Sequence, residues 1–341
     1  MKKFLVAVAT TVSLSACGGG DGDPFNTNPD PDPTTPTTPA REMPPGTENP
    51  TPNSGILRRE PLNTGDRRGD GFAQSVTYNA DTDVFSVDNL AFDGDNTYNR
   101  STNVPNLGQF AVYESPASTP DQFDGTPISQ LGHRAIYGQS TSGNTRFAIV
   151  RTGSYRDFGF GGFVYQRDDG VTLPATGQAT YSGNLAGIRD FNGGGGLQYT
   201  TGSVDLSIDF DDFNDSTGTR GDAVRGTITN RRIIDPNTGA DITQNVLDQF
   251  NTAQSTTLTA IPTATFRIGP GVMDDNGEIL GELTSNYVNS SGETASFENG
   301  NYYAIVSGAN TEEIVGVVVL DSQVAIDGVT ARETGGFIVY N

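Results

Sequence analysis

Apolar and polar positions alternate with a period of two over most of the chain beyond residue 71, and this spacing predicts strands whose two faces differ. In the first half the runs are short. Residues 72–78 and 83–90 flank the turn-forming 79–82 as a hairpin, and 109–114, 134–138, 146–151 and 161–167 follow as further strands. From residue 176 the alternation is more regular. Ala179, Tyr181 and Gly183 share a face, as do Val204, Leu206, Ile208 and Phe210, with Asp205, Ser207 and Asp209 opposite. Segments 223–228, 257–268, 278–288, 301–307, 313–320 and 332–340 bring the late strands to eight, separated by turns such as Asp274-Asp275-Asn276-Gly277. The pattern predicts an all-β chain: a small N-terminal antiparallel region over 56–170, then an eight-stranded up-and-down barrel over 171–341, closed so that no strand edge stays open. One interruption is helical, with Ile242, Val246, Leu247 and Phe250 on one face after Asp241 as a cap, and is placed at one end of the barrel. Membrane-spanning barrels use strands of about 9–11 residues with apolar residues outward. Several strands here are shorter and carry Gly and Asp, so the apolar faces are assigned to a filled interior and the barrel is expected to be soluble.

The first 55 residues break the pattern. Lys2 and Lys3 precede an apolar run over 4–14 that ends in small residues, the order of a secretory signal and too short to cross a bilayer. Leu14-Ser15-Ala16-Cys17 resembles the lipobox of bacterial lipoproteins. That resemblance implies cleavage between Ala16 and Cys17, with lipid on the Cys17 sulfur as the link to the membrane. Gly18, where an Asp would retain a lipoprotein at the inner membrane, implies the outer membrane. Which side of that membrane the folded part faces is left open. Residues 17–55 are rich in Pro, Asp and Thr and poor in large apolar side chains, the composition of an extended tether.

Charge narrows the partners. Removing Lys2 and Lys3 from the 20 basic residues leaves 18, all arginine, against 41 acids, a net charge of −23. A chain so acidic does not gather nucleic acid or anionic lipid headgroups electrostatically, so no nucleic-acid partner is expected and the membrane link is the covalent anchor. The single cysteine excludes an internal disulfide, and 43 glycines with no tryptophan fit a loop-rich β protein.

The inventory for catalysis is thin. His133 is the only histidine, which excludes multi-histidine metal sites, and no nucleophile elbow, P-loop or His-Glu-x-x-His occurs. The acidic run 209–215 lacks the glycine and final glutamate of a calcium loop and reads as solvated turn carboxylates. No metal, cofactor or catalytic residue is therefore assigned, and the chain is expected not to be an enzyme. The run 155–165 alternates aromatics with glycine. Phe158, Phe160, Phe163 and Tyr165 form either a ligand-contacting surface or packing between the two β regions.

Residues 177–183, 202–210, 313–316 and 335–340 resemble the C-terminal barrel of transferrin-binding protein B-like surface lipoproteins, a barrel also found in factor H-binding protein. The resemblance covers about residues 170–341. It implies a β "handle" ahead of the barrel and a lipid-anchored binding protein of a Gram-negative cell surface or periplasmic face. It supplies no ligand, since no transferrin-contacting residue maps onto this chain. Two functions stay open: recognition of a protein or small solute through loops at the barrel and handle ends, or a structural role in the envelope without a dedicated ligand.

Overall fold

The computed structural model describes residues 43–62, 71–88, 90–153, 158–211, 223–266 and 272–341. The signal, Ala16, Cys17 and most of the tether lie outside the described residues. Nine strands form one antiparallel sheet: β1 (Ile56–Arg59), β2 (Val76–Asn79), β3 (Val84–Val87), β4 (Thr97–Arg100), β5 (Asn106–Leu107), β6 (Phe110–Ser115), β7 (His133–Gln139), β8 (Thr145–Thr152) and β9 (Gly161–Arg167). Their order is β1-β9-β8-β7-β6-β4-β3-β2, with β5 beside β6. Eight more close an antiparallel barrel: β10 (Gln178–Phe191), β11 (Gly194–Asp209), β12 (Ala223–Ile234), β13 (Ala264–Phe266), β14 (Glu278–Val288), β15 (Thr294–Ser307), β16 (Glu313–Ser322) and β17 (Ala331–Tyr340). Closure is made by β10 on β17, with Gly183 opposite Val339 and Phe191 opposite Ala331. The chain is all-β apart from helix α1 (Thr243–Gln254) and one 3-10 turn among the described residues.

Strand parity sorts the side chains into three cores. Inward residues of the barrel, among them Tyr181, Leu185, Val204, Leu206, Ile279 and Phe337, fill its interior. Outward residues of β10, β15, β16 and β17, including Ile188, Ile305, Val317 and Ile338, are equally buried because the sheet lies on them with Ile136, Phe147, Ile149 and Phe163. The sheet then curls over its other face, enclosing Phe85, Tyr98, Tyr113 and Val150, with the Phe85 and Tyr113 rings stacked at 5.5 Å. Where the sheet does not reach, the barrel's outward residues are polar: Thr180, Ser182, Asn184, Asp205 and Asn286 are exposed. Apolar inside and polar outside is opposite to the pattern of a barrel that faces lipid.

The glycine-rich strands accommodate aromatic rings. A Cβ on Gly336 would stand 2.2 Å from the Phe147 ring, so the sheet's phenylalanine seats directly on the barrel backbone. Inside the barrel, Gly281 and Gly316 make the same room for the rings of Tyr302 and Phe337, each 2.3 Å from an added Cβ.

Polar contacts fix the seam. Arg151 is fully buried and forks onto Glu60 at 2.8 and 2.9 Å, with a further bond to the Thr334 hydroxyl at 2.7 Å. Arg58 of β1 forks onto Glu278 of β14 at 2.6 and 2.7 Å. Arg167 has backbone partners instead, donating to the carbonyls of Val306, Asn276 and Ser54 at 2.7, 3.0 and 3.0 Å. One guanidinium thus ties β9 to the barrel and to the chain ahead of β1.

Two expectations need correction. Residues 43–55, which composition assigns to the tether, are held in place: Thr47 N–H donates to Leu57 O, Arg59 N–H to Pro45 O, and Val171 N–H to Pro52 O. Backbone pairing overrides the low apolar content there. The strand expected over 257–268 begins only at Ala264, two residues after Pro262, which has no N–H for a ladder.

Because Arg151 has no route to water, Glu60→Ala is expected to destabilise the fold by about 3–5 kcal/mol through the stranded charge. The paired Arg151→Met and Glu60→Leu substitution is expected to recover most of that loss. Urea midpoints for the wild type, the single and the double variant decide it; a single-variant loss below about 1 kcal/mol would refute the seam assignment.

Candidate functional site

Toward one end the described interior of the barrel is packed with Tyr181, Ile208, Val224 and Phe266, and toward the other it is hollow. At the hollow end a cavity of about 250 Å³ lies among the last residues of β10 and β12, the first residues of β15 and β17, the loop 323–330 and α1. Three register shifts build it. A bulge at Asn230, whose φ is 52°, lets Arg231 turn inward from β12, and Glu298, which keeps the inward parity of Gly300 and Tyr302 on β15, meets it, with the extra residue Phe297 bringing its ring alongside. On β10 the ladder with β11 breaks between Arg189 and Phe191, beside the cavity.

The helix is tied to the barrel rim at its start. Ile233 N–H donates to Thr243 Oγ1 at 2.8 Å, and Asp241 Oδ1 receives the Thr243 N–H at 2.9 Å, so the expected capping aspartate acts one residue before the helix boundary at Ile242. Leu247 and Phe250 are the buried helical residues, and the Phe250 ring lies 4.9 Å from Phe297 and 5.1 Å from Tyr287. The cavity walls are apolar, formed by Phe191, Ile233, Val246, Leu247, Phe297 and Val329 with their neighbours.

Its floor is charged. Arg231 donates to Glu298 Oε2 at 2.6 Å and to Glu333 Oε2 at 2.8 Å, and Glu333 Oε1 accepts from the Thr200 hydroxyl at 3.1 Å. Burial opposes the charge on Arg231, but the two carboxylates outweigh it and hold its pKa above the ordinary arginine value. Arg189 differs. It donates from Nη1 to the neutral amide of Gln198 at 2.8 Å, and among the described residues no carboxylate lies within ion-pair distance of it. Burial pulls its pKa down, partly offset by the fields of Glu298 and Glu333, and it remains a cation at neutral pH. The arrangement offers an apolar chamber with hydrogen-bonding groups at one end, the usual composition of a small-molecule site.

The aromatic run is divided by the start of β9. Phe163 and Tyr165, two residues apart on one strand face, are buried in the seam; Phe163 stacks on Tyr303 at 6.0 Å. They are not part of a ligand surface. Phe158 and Phe160 precede the strand and are only half-buried. Phe158 lies under the Arg332 guanidinium at 4.3 Å, and Phe160 meets Phe72 and Phe92 at 5.6 and 5.5 Å. Phe92 is 45% exposed, so this second patch reaches solvent. His133 is buried against Tyr98, with ring centroids 6.0 Å apart, and forms no ion pair among the described residues. No cluster of three metal-ligating side chains occurs among the described residues.

None of the four floor residues was assigned from sequence. Glu333 was within reach, since it shares the inward parity of Phe337 and Val339 on an expected strand. Arg189 lies on the extension of β10 past Gly183, Glu298 lies on the extension of β15 ahead of Asn301, and Arg231 follows a bulge that resets the parity of β12.

Among solved structures, the chain aligns with transferrin-binding protein B from Haemophilus parasuis Hp5 in two variant forms. The identities are 11% over 84% of this chain and 45% of that one, TM-score 0.36, and 10% over 82% and 47%, TM-score 0.34. Intact Ap-TbpB, with N and C lobes, aligns at 10% identity over 84% of this chain and 52% of that one, TM-score 0.31. The chain spans about half the length of these proteins. No protein-family model matches it, and no curated protein does. Such likenesses concern the fold alone, and at these scores the strand pairing above defines the architecture.

Burial lowers the pKa of His133 to about 4, against about 6.5 in an unfolded chain. Between those values the unfolded state binds a proton that the folded state refuses, so stability falls as pH falls through the window. His133→Phe is expected to remove up to about 3 kcal/mol of that acid sensitivity. Parallel denaturation curves for the variant and the wild type from pH 7 to pH 4 would contradict the assignment.

Proposed function

We propose that this chain is a non-catalytic binding protein, held at the outer membrane by lipid on Cys17, that takes up a small solute in the helix-covered barrel mouth. The cavity carries the reading: a barrel whose only task was to space or brace would have its apolar core packed through to this mouth. At about 250 Å³ the chamber exceeds the roughly 150 Å³ that accommodates benzene and falls below the range typical of drug-sized ligands. One ring or a short branched chain fits. The lipobox-like residues before Cys17 and the Pro/Asp/Thr-rich stretch after it support anchoring with reach into solvent. The polar outer face of the barrel leaves the covalent lipid as the membrane contact.

Two measurements test this. Cys17→Ala is expected to move the protein from the membrane fraction to the soluble fraction; retention in the membrane would refute the anchor. Indole, a neutral apolar probe of matching size, is expected to bind the purified protein and raise its melting temperature by several degrees at about 100 times its Kd. Val246→Trp, which places a large ring into the chamber from α1, is expected to abolish that shift. No indole binding, or equal binding by the Val246→Trp variant, would overturn the cavity as the site.

A further inference from the structure

We infer that the solute is a free α-amino acid with an apolar side chain of leucine or phenylalanine size, its carboxylate on Arg189 and its ammonium on Glu298. This rests on the barrel mouth being the binding site and goes beyond it in naming the ligand's charge.

Three observations converge. Arg189 is 8% exposed, lines the cavity, and satisfies only one of its donors, on a neutral amide. A buried guanidinium presents a fork suited to a carboxylate, and the other buried arginines of the described residues use theirs: Arg58, Arg151 and Arg332 each fork onto one acid, Arg231 divides between two, and Arg167 is met by carbonyls. Arg189 is the exception, and it is the one that opens onto the chamber with donors to spare.

Facing it across the chamber, beyond its cross-strand neighbour Glu333, is an acceptor on β15. Glu298 is 3% exposed, also lines the cavity, and spends Oε2 on Arg231, while its Oε1 makes no hydrogen bond among the described residues. Of the charged groups around Arg189, Glu298 acts on it most strongly. Both groups open onto one small chamber, and the carboxylate and ammonium of an α-amino acid, separated by a single carbon, need two such receptors converging on it.

Charge balance then selects the ligand. Two arginines and two glutamates make up the buried floor, and their charges sum to zero; the other charged lining residue, Asp327, is exposed to solvent at the rim. A bare carboxylate would leave one uncompensated negative charge in a poorly hydrated site, and a bare amine one positive charge, each costly to bury. A zwitterion leaves the sum at zero and engages both unused groups. The apolar walls of Phe191, Ile233, Val246 and Phe297 receive the side chain and reject acidic or basic ones.

The test is a titration panel on the purified native protein, so that no variant has to fold for the outcome to be read. Leucine and phenylalanine are compared with 4-methylpentanoate, which lacks the ammonium; isoamylamine, which lacks the carboxylate; aspartate; and indole. Leucine or phenylalanine is expected to bind at least tenfold more tightly than the acid or the amine, with aspartate not binding. Arg189→Met is expected to lower amino-acid affinity about 10- to 100-fold, the range for a charge-assisted hydrogen bond. Glu298→Gln is expected to shift the preference from leucine toward 4-methylpentanoate. If indole binds while leucine and phenylalanine do no better than the acid or the amine, the cavity stands as a site and the zwitterion assignment falls. If neither indole nor the amino acids bind, the site itself falls.

Discussion

The barrel cannot stand alone, because part of its outer face is as apolar as its interior. Eight buried side chains of the seam core belong to the barrel, from Ala186 and Ile188 on β10 to Ile338 on β17. Exposing that set would cost on the order of 10 kcal/mol, at about 1.5–3 kcal/mol for each large aliphatic residue. The sum is comparable to the whole stability of an ordinary domain, about 5–15 kcal/mol. Sheet and barrel therefore fold as one unit, which agrees with residues 41–341 forming a single compact body. The seam in turn dictates sequence on both sides: a glycine at 336 beneath Phe147, and acids at 60, 190 and 278 to meet buried arginines.

Much of this was legible before any coordinates. Strict alternation over 204–210 and 278–288 fixed strands whose inward residues are the ones now found buried. The eight late strands were counted correctly because turn residues separate them. Three sheet strands escaped notice for a physical reason. β1 has only Ile56 and Leu57 before two arginines, β4 is Thr97-Tyr98-Asn99-Arg100, and β5 is two residues long. Their pairing comes from neighbours in space, which no local period records.

The site was much less legible. A sequence period describes an unbroken strand, and a binding mouth is made where strands break. The bulge at Asn230 turns Arg231 inward to meet Glu298, 67 positions away on β15. Similar logic split the aromatic run, since the strand start at Gly161 sends Phe163 and Tyr165 into the seam and leaves Phe158 and Phe160 at its margin. Glycine-flanked aromatics look alike in sequence on either side of that boundary.

Two kinds of buried charge coexist in this molecule, and the difference between them is informative. Arg58 with Glu278 is bidentate and closed and orients one β layer on the other, and Arg332 with Asp190 is likewise closed, between the neighbouring barrel strands β17 and β10. Replacing a closed buried pair with apolar residues is often neutral for stability, so such pairs persist where they specify geometry. The floor of the barrel mouth has no layers to align. Arg231 holds two glutamates from β15 and β17, strands already fixed by their own ladders, while Arg189 has only a neutral amide. An apolar plug at those four positions would complete the barrel core at lower desolvation cost. Keeping four charges there, with donors and an acceptor turned to the chamber, is a poor way to stabilise a barrel and a good way to receive a polar head on an apolar body.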